Sequence, residues 1–67
     1  MNHTIEIGFT LKDKGIEWQV MIYLVNPAGD MTLLFDAQGT NDSHGFARKD
    51  ALTAIAQWYC ISNINPL

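Results

Sequence analysis

The sequence predicts an α+β domain in which a three-stranded antiparallel β-meander is packed on one face by a single C-terminal helix, in the order β-β-β-α. Three observations predict this fold. Apolar and polar residues alternate through most of residues 4–38, as in strands with one buried face. Two short turn-forming segments interrupt the alternation. From residue 45 to 61 the spacing becomes helical without an interrupting proline, so we expect one two-layer domain over residues 1–67.

Each strand is predicted from its own alternating segment. The strands cover residues 4–11, 16–25 and 30–38. The side chains predicted to share the face toward the helix are Ile5, Ile7, Phe9, Leu11, Ile16, Trp18, Val20, Ile22, Leu24, Met31, Leu33, Phe35 and Ala37. Successive side chains in a strand point to opposite faces, so the intervening residues lie on the outer face.

Two four-residue turns, at 12–15 and 26–29, set the expected register. The second, Asn-Pro-Ala-Gly, has its proline and glycine where a type I turn favours them. Counting outward from the turns pairs Phe9 with Trp18, Ile7 with Val20, Val20 with Phe35, and Ile22 with Leu33. A five-residue second loop would place Leu24 opposite Thr32 and break this agreement, so four residues are predicted.

The helix is predicted over residues 45–61, where alanines are frequent and Pro66 lies beyond the end. At about 100° per residue, Leu52, Ile55 and Tyr59 cluster on one side, and we expect them to cover the sheet. An adjacent flank carries Ala47, Ala51, Ala54 and Trp58. For Trp58 two interpretations stay open: an anchor for a partner, or a ring that folds over the sheet edge to complete a small core.

Composition restricts the classes of function. The formal charge is −3, so repulsion of phosphates disfavours nucleic-acid binding. Cys60 is the single cysteine, which excludes an internal disulfide and suits the cytoplasm. The chain shows no signal-peptide pattern and no apolar run of about 20 residues, so we expect no membrane association.

The segment "GTNDSHGFARKD" before the predicted helix concentrates polar residues. Its asparagine, aspartate and serine are typical of a helix start, although no complete capping box identifies the capping residue. An alternative is a candidate anion-binding site formed by His44, Arg48 and Lys49 at the helix start. Neighbouring Ser43 and His44 diverge too much for a nucleophile–base pair.

The remaining potential ligands, His3, His44 and Cys60, are isolated in the sequence. We therefore expect no enzyme, no metal and no cofactor.

The apolar content of 48% exceeds what one helix and one sheet face can bury in so short a chain. On the outer face, the expected register places Met21 beside Leu34, with Tyr23 and Val25 next to them. A contiguous apolar group with a polar rim resembles an interface. We expect partner binding through Met21, Tyr23 and Leu34 on the sheet, together with Trp58 on the helix.

The two outer strands lack proline and lysine, the usual protections of a sheet edge. Two copies could therefore join edge to edge, and we expect a homodimer. Whether self-association uses an edge or the outer face stays open.

These features favour a small acidic, cytoplasmic, non-enzymatic protein-binding module. We expect it to act by surface occlusion, as an inhibitor or accessory factor with the general character of small viral or prophage-type regulators. That comparison is an analogy at the level of class. The alternative is a small-ligand or nucleic-acid binding module that uses Tyr23 together with the basic helix start, Arg48 and Lys49.

Overall fold

The structure, a computed structural model, describes residues 2–62 and has the predicted β-β-β-α architecture. Its elements are β1 (Asn2–Lys12), β2 (Gly15–Val25), β3 (Met31–Asn41) and α1 (His44–Ser62). The strands form an antiparallel sheet in the order β1-β2-β3, with the helix packed over β2 and β3. The fold class is confirmed, and each strand extends beyond the residues predicted for it.

The register between β1 and β2 is the predicted one. Phe9 lies opposite Trp18, and Ile7 lies opposite Val20. Both pairs place apolar side chains on the face that the helix covers, which we call the inner face. Turn position and hydrophobic alternation therefore agree in the first hairpin.

The predicted register between β2 and β3 is wrong, because the second turn has another geometry. The amide of Gly29 donates to the carbonyl of Asn26 at 2.9 Å, and the amide of Asn26 donates to the carbonyl of Asp30 at 3.0 Å. Gly29 has φ 91°, the left-handed conformation that follows a type I turn in a three-residue hairpin loop. The loop between the paired strands is therefore one residue longer than predicted. As a result Leu24 lies opposite Thr32, the pairing that the hydrophobic alternation disfavours.

A β-bulge further along β3 restores the apolar pairing. The register shifts between the pairs Ile22–Phe35 and Tyr23–Leu33, which leaves Leu34 as the extra residue of β3. Beyond the bulge Phe35, rather than Leu33, is the partner of Ile22 on the inner face. The turn and the bulge each add one residue, and together they move the pairing two places from the predicted register.

The core is formed by the centre of β2 and one face of the helix. The buried residues are Trp18, Val20, Ile22, Ala47, Ala51, Ala54 and Trp58. The predicted helix face is right only in part: Ile55 and Tyr59 are half-buried against the core, whereas Leu52 is 51% exposed and the alanine flank lies at the centre. Small alanines let the helix approach the bulky side chains of β2 closely, whereas a stripe of large residues would hold it away.

A close approach between Trp18 and Gly39 completes the sheet side of the core. A Cβ atom added at Gly39 would lie 2.8–2.9 Å from atoms of the Trp18 indole. The two residues are cross-strand partners, so the indole lies over the glycine in place of a side chain. The indole Nε1 of Trp18 is buried and has no hydrogen-bond partner within residues 2–62.

The segment before the helix is a helix start, as the sequence indicated. The Oγ of Ser43 accepts a hydrogen bond from the amide of Phe46 at 3.2 Å, so Ser43 is the N-cap. The Nδ2 of Asn41, the last residue of β3, donates to Oδ2 of Asp50 at 2.9 Å. This bond joins the end of β3 to the helix. It shows that the side of the helix carrying Asp50 is the side next to β3.

Candidate functional site

The outer face of the sheet, opposite the helix, carries a contiguous apolar group. Tyr23 lies directly opposite Leu33, and Val25 lies directly opposite Met31. Met21 is two residues from Tyr23 on the same strand and therefore on the same face. We call these five residues the outer-face cluster. Met31 and Leu33 are about half exposed, at 49% and 48%, and the three β2 residues are partly exposed.

A hydrogen bond within the cluster orients its aromatic ring. The hydroxyl of Tyr23 donates to the sulfur of Met21 at 3.2 Å. A thioether is a weak acceptor, so the bond adds little stability. Its effect is to hold two flexible side chains in one arrangement, which lowers the entropy lost when a partner covers them.

Carboxylates flank the cluster on both sides of Met21. Glu6 on β1 and Asp36 on β3 are its two cross-strand neighbours. Glu17 lies on the same face nearer the first hairpin turn. The four basic residues lie elsewhere, at the tip of that hairpin or on the helix: Lys12, Lys14, Arg48 and Lys49. The field at the centre of the outer face is therefore negative.

The structure moves one predicted partner-binding residue and decides the position of another. Leu34, predicted beside Met21, is the extra residue of the bulge, and Asp36 occupies the predicted position. Trp58 is 5% exposed and belongs to the core, one of the two positions that the sequence left open for it. Leu33 joins the cluster because the turn and the bulge shift its partner from Ile22 to Tyr23, which the alternation of the sequence does not show.

The inner face of β1 is a second exposed apolar region. The helix covers β2 and β3, so Ile5 and Ile7 remain 37% and 42% exposed although they pair with core residues. The ring of His44 lies 4.7 Å from that of Phe9, which identifies the helix flank nearest β1. Ile55 follows His44 by about three helical turns on that flank. We call Ile5, Ile7, Ile55 and the neighbouring Leu52 the β1 ledge.

The candidate anion-binding residues all lie in the first two turns of the helix, but only two of them share a helix face. His44 packs against Phe9, and Arg48 follows it by about one helical turn. Lys49 lies about 100° further round the helix, and all three side chains are exposed. Tyr23 is on the opposite side of the sheet from the helix. The sheet therefore separates Tyr23 from Arg48 and Lys49.

The polar side chains considered as ligands or catalytic groups are placed as follows. Within residues 2–62, no three His, Cys, Asp or Glu side chains are grouped to hold a metal ion. The hydroxyl of Ser43 accepts the helix-capping bond, His3 packs against Trp58, and Cys60 is exposed on the helix. An open depression of about 320 Å³ lies beside the outer-face cluster and is lined by Gln19, Asp36, Ala37 and Gln38.

No helix in the described part of the chain is long and apolar enough to cross a membrane. No family model, curated protein or solved structure matches the chain.

Proposed function

We propose that this protein is a non-enzymatic, cytoplasmic protein-binding module that acts as an inhibitor or regulatory factor by covering a surface of its partner. The observation that carries the proposal is the outer-face cluster, a contiguous and partly exposed apolar group with carboxylates on both sides. Apolar centres with polar rims are the usual anatomy of protein interfaces.

The shape of the outer face favours a protein over a small ligand. A small-molecule site encloses most of its ligand, whereas this face is an open sheet. Methionine and tyrosine are enriched in interface cores, and both lie at the centre of this face. The Tyr23–Met21 hydrogen bond also reduces the ordering needed on binding.

The charges indicate the chemistry of the partner surface. Glu6 and Asp36 border Met21, and no basic residue stands beside the cluster. A complementary surface presents an apolar side chain flanked by lysine or arginine. Steering by these charges makes the association rate fall as salt increases.

The same charges disfavour a nucleic acid on this face. A base stacked on Tyr23 would bring its phosphates toward Glu6 and Asp36. Arg48 and Lys49 are on the helix, on the other side of the sheet, and give no compensation there.

A site-specific cross-link tests the proposal. Leu33 is replaced by the photoreactive residue p-benzoylphenylalanine, and the protein is irradiated in the cells that produce it. The matched control carries the same residue at Phe46, which is 60% exposed on the helix, away from the outer face. We expect one dominant adduct from position 33 that is missing from position 46, and mass spectrometry identifies it.

The identified protein is then purified, and its affinity is measured for the wild type, Tyr23→Ala, Met21→Asp and the control Leu52→Asp. Loss of at least tenfold in both outer-face variants, with near wild-type affinity in Leu52→Asp, supports the proposal. Retained affinity in both outer-face variants overturns it, and so does equal cross-linking from positions 33 and 46.

A further inference from the structure

The two edges of the sheet differ in how well they are protected. β3 is interrupted by the bulge at Leu34, and a bulge bends an edge strand and disturbs the pairing of a further strand. β1 is an unbroken strand of eleven residues without proline, and its one lysine, Lys12, is the last residue. The free edge of β1 is therefore open to another strand.

Apolar side chains on the inner face of β1 also remain uncovered. Ile5 and Ile7 are exposed on the inner face of β1, the strand with the fewest contacts to the helix. A strand added next to β1 would cover these isoleucines only if it brought apolar side chains to the same face. β1 itself has this pattern, with apolar residues at alternate positions from Ile5 to Leu11.

We propose that two copies of this chain pair antiparallel through β1, with Ile7 on the two-fold axis, to form a six-stranded sheet. In this register all eleven residues of β1 are paired. Ile7 faces Ile7 of the second copy, and Ile5 faces Phe9 of the second copy. Both helices then lie on the same side of the sheet, and both outer-face clusters lie on the other.

The position of Glu6 and the length of β1 favour this register over its two neighbours. With Ile7 at the centre, Glu6 faces Gly8 of the second copy, and Lys12 faces Asn2. A register centred on Glu6 would place two carboxylates directly opposite each other, which is unfavourable across strands. A register centred on Gly8 would leave Asn2 and His3 of each copy unpaired.

This inference is independent of the proposed function, because it concerns the purified protein alone and leaves the outer face uncovered.

Disulfide cross-linking tests the register. Cys60 is replaced by serine because it is exposed, and one cysteine is introduced at Ile7 or, as the matched control, at Ile5. Directly opposed residues of antiparallel strands have Cα atoms about 4.5–5.5 Å apart, within the range of a disulfide. In the proposed register the two residues at position 5 lie about 13 Å apart along the strands, too far to bond.

We expect Cys60→Ser/Ile7→Cys to form a covalent dimer under mild oxidation, and Cys60→Ser/Ile5→Cys to remain uncross-linked. Light scattering across a concentration series should give the mass of a dimer for the wild type and for Leu34→Lys, whose charge lies on the protected edge strand. Ile7→Lys should be a folded monomer, judged by circular dichroism. A monomeric wild type at all concentrations, or preferential cross-linking at position 5, overturns the proposal.

Discussion

The hydroxyl of Tyr23 lies 3.2 Å from the sulfur of Met21 and donates a hydrogen bond to it, on the face of the sheet that the helix leaves uncovered. The two residues are two positions apart on β2, so the bond joins neighbours on the same face. The phenol therefore lies toward the carboxylates beside Met21, and the apolar and acidic parts of this surface form one unit.

Substitutions of Met21 with opposite charges should measure the field on this surface. Because Glu6 and Asp36 stand on either side, Met21→Lys should be more stable than Met21→Asp by about 1 kcal/mol in low salt. The difference should shrink at 1 M salt, where screening acts over about 3 Å. Urea unfolding at the two salt concentrations, with Met21→Gln as the neutral control, measures it. Equal stability in low salt would contradict the acidic field.

The contact between Gly39 and Trp18 predicts an asymmetry between two glycines. Gly39→Ala places a methyl group against the indole, and the packing must shift, so the free energy of unfolding should fall by about 1–3 kcal/mol. At Gly8 an added Cβ meets nothing within 4 Å, so Gly8→Ala should be neutral or stabilising by up to about 1 kcal/mol. Urea unfolding compares the two variants. The contact is wrong if they prove equally stable.

The N-cap gives a third prediction, with a control inside the same helix. Ser43→Ala removes the acceptor for the Phe46 amide and should cost about 0.5–2 kcal/mol. Thr53→Ala also removes a hydroxyl, but one that donates to the carbonyl of Lys49, which already has a place in the helical ladder. That variant should be neutral or slightly stabilising in thermal unfolding, because alanine is the better helix former.

The corrected helix face predicts a large difference between Trp58 and Leu52. Trp58→Ala empties part of the core and should lower the free energy of unfolding by about 3–5 kcal/mol, which is enough to unfold so small a domain. Leu52→Ala should cost less than about 1 kcal/mol, because the side chain is already half exposed. Circular dichroism with urea measures both. The opposite order would restore the helix face that the sequence predicted.

The register of the first hairpin was predictable because apolar and polar residues alternate in both strands without interruption. Its turn also has the length that the sequence predicts, so no residue is added to the loop. The register of the second hairpin was not predictable, because Gly29 takes a left-handed conformation and Leu34 forms a bulge. Each deviation alone would turn the apolar residues of β3 to the wrong face. Together they restore the pattern, so alternation alone could not reveal either of them.

The helix face was predicted only in part, for a different physical reason. Hydrophobicity favours Leu52, Ile55 and Tyr59 as the buried stripe, but the helix face that packs on the centre of β2 carries three alanines and Trp58. The packing of the helix against β2 therefore determines which helix face is buried. In the candidate site, the outer-face positions of Met21 and Tyr23 followed from strand parity, whereas the exchange of Leu34 for Leu33 depended on the bulge.

The sequential order of the sheet has a consequence for how the chain folds. Every strand pairs with its neighbour in the sequence, so most contacts of the sheet close short loops. Topologies of this kind have low contact order and fold quickly for proteins that contain β-structure. Because the helix covers the centre of β2, Trp18, Val20 and Ile22 stay open to solvent in any state in which the sheet has formed and the helix has not docked.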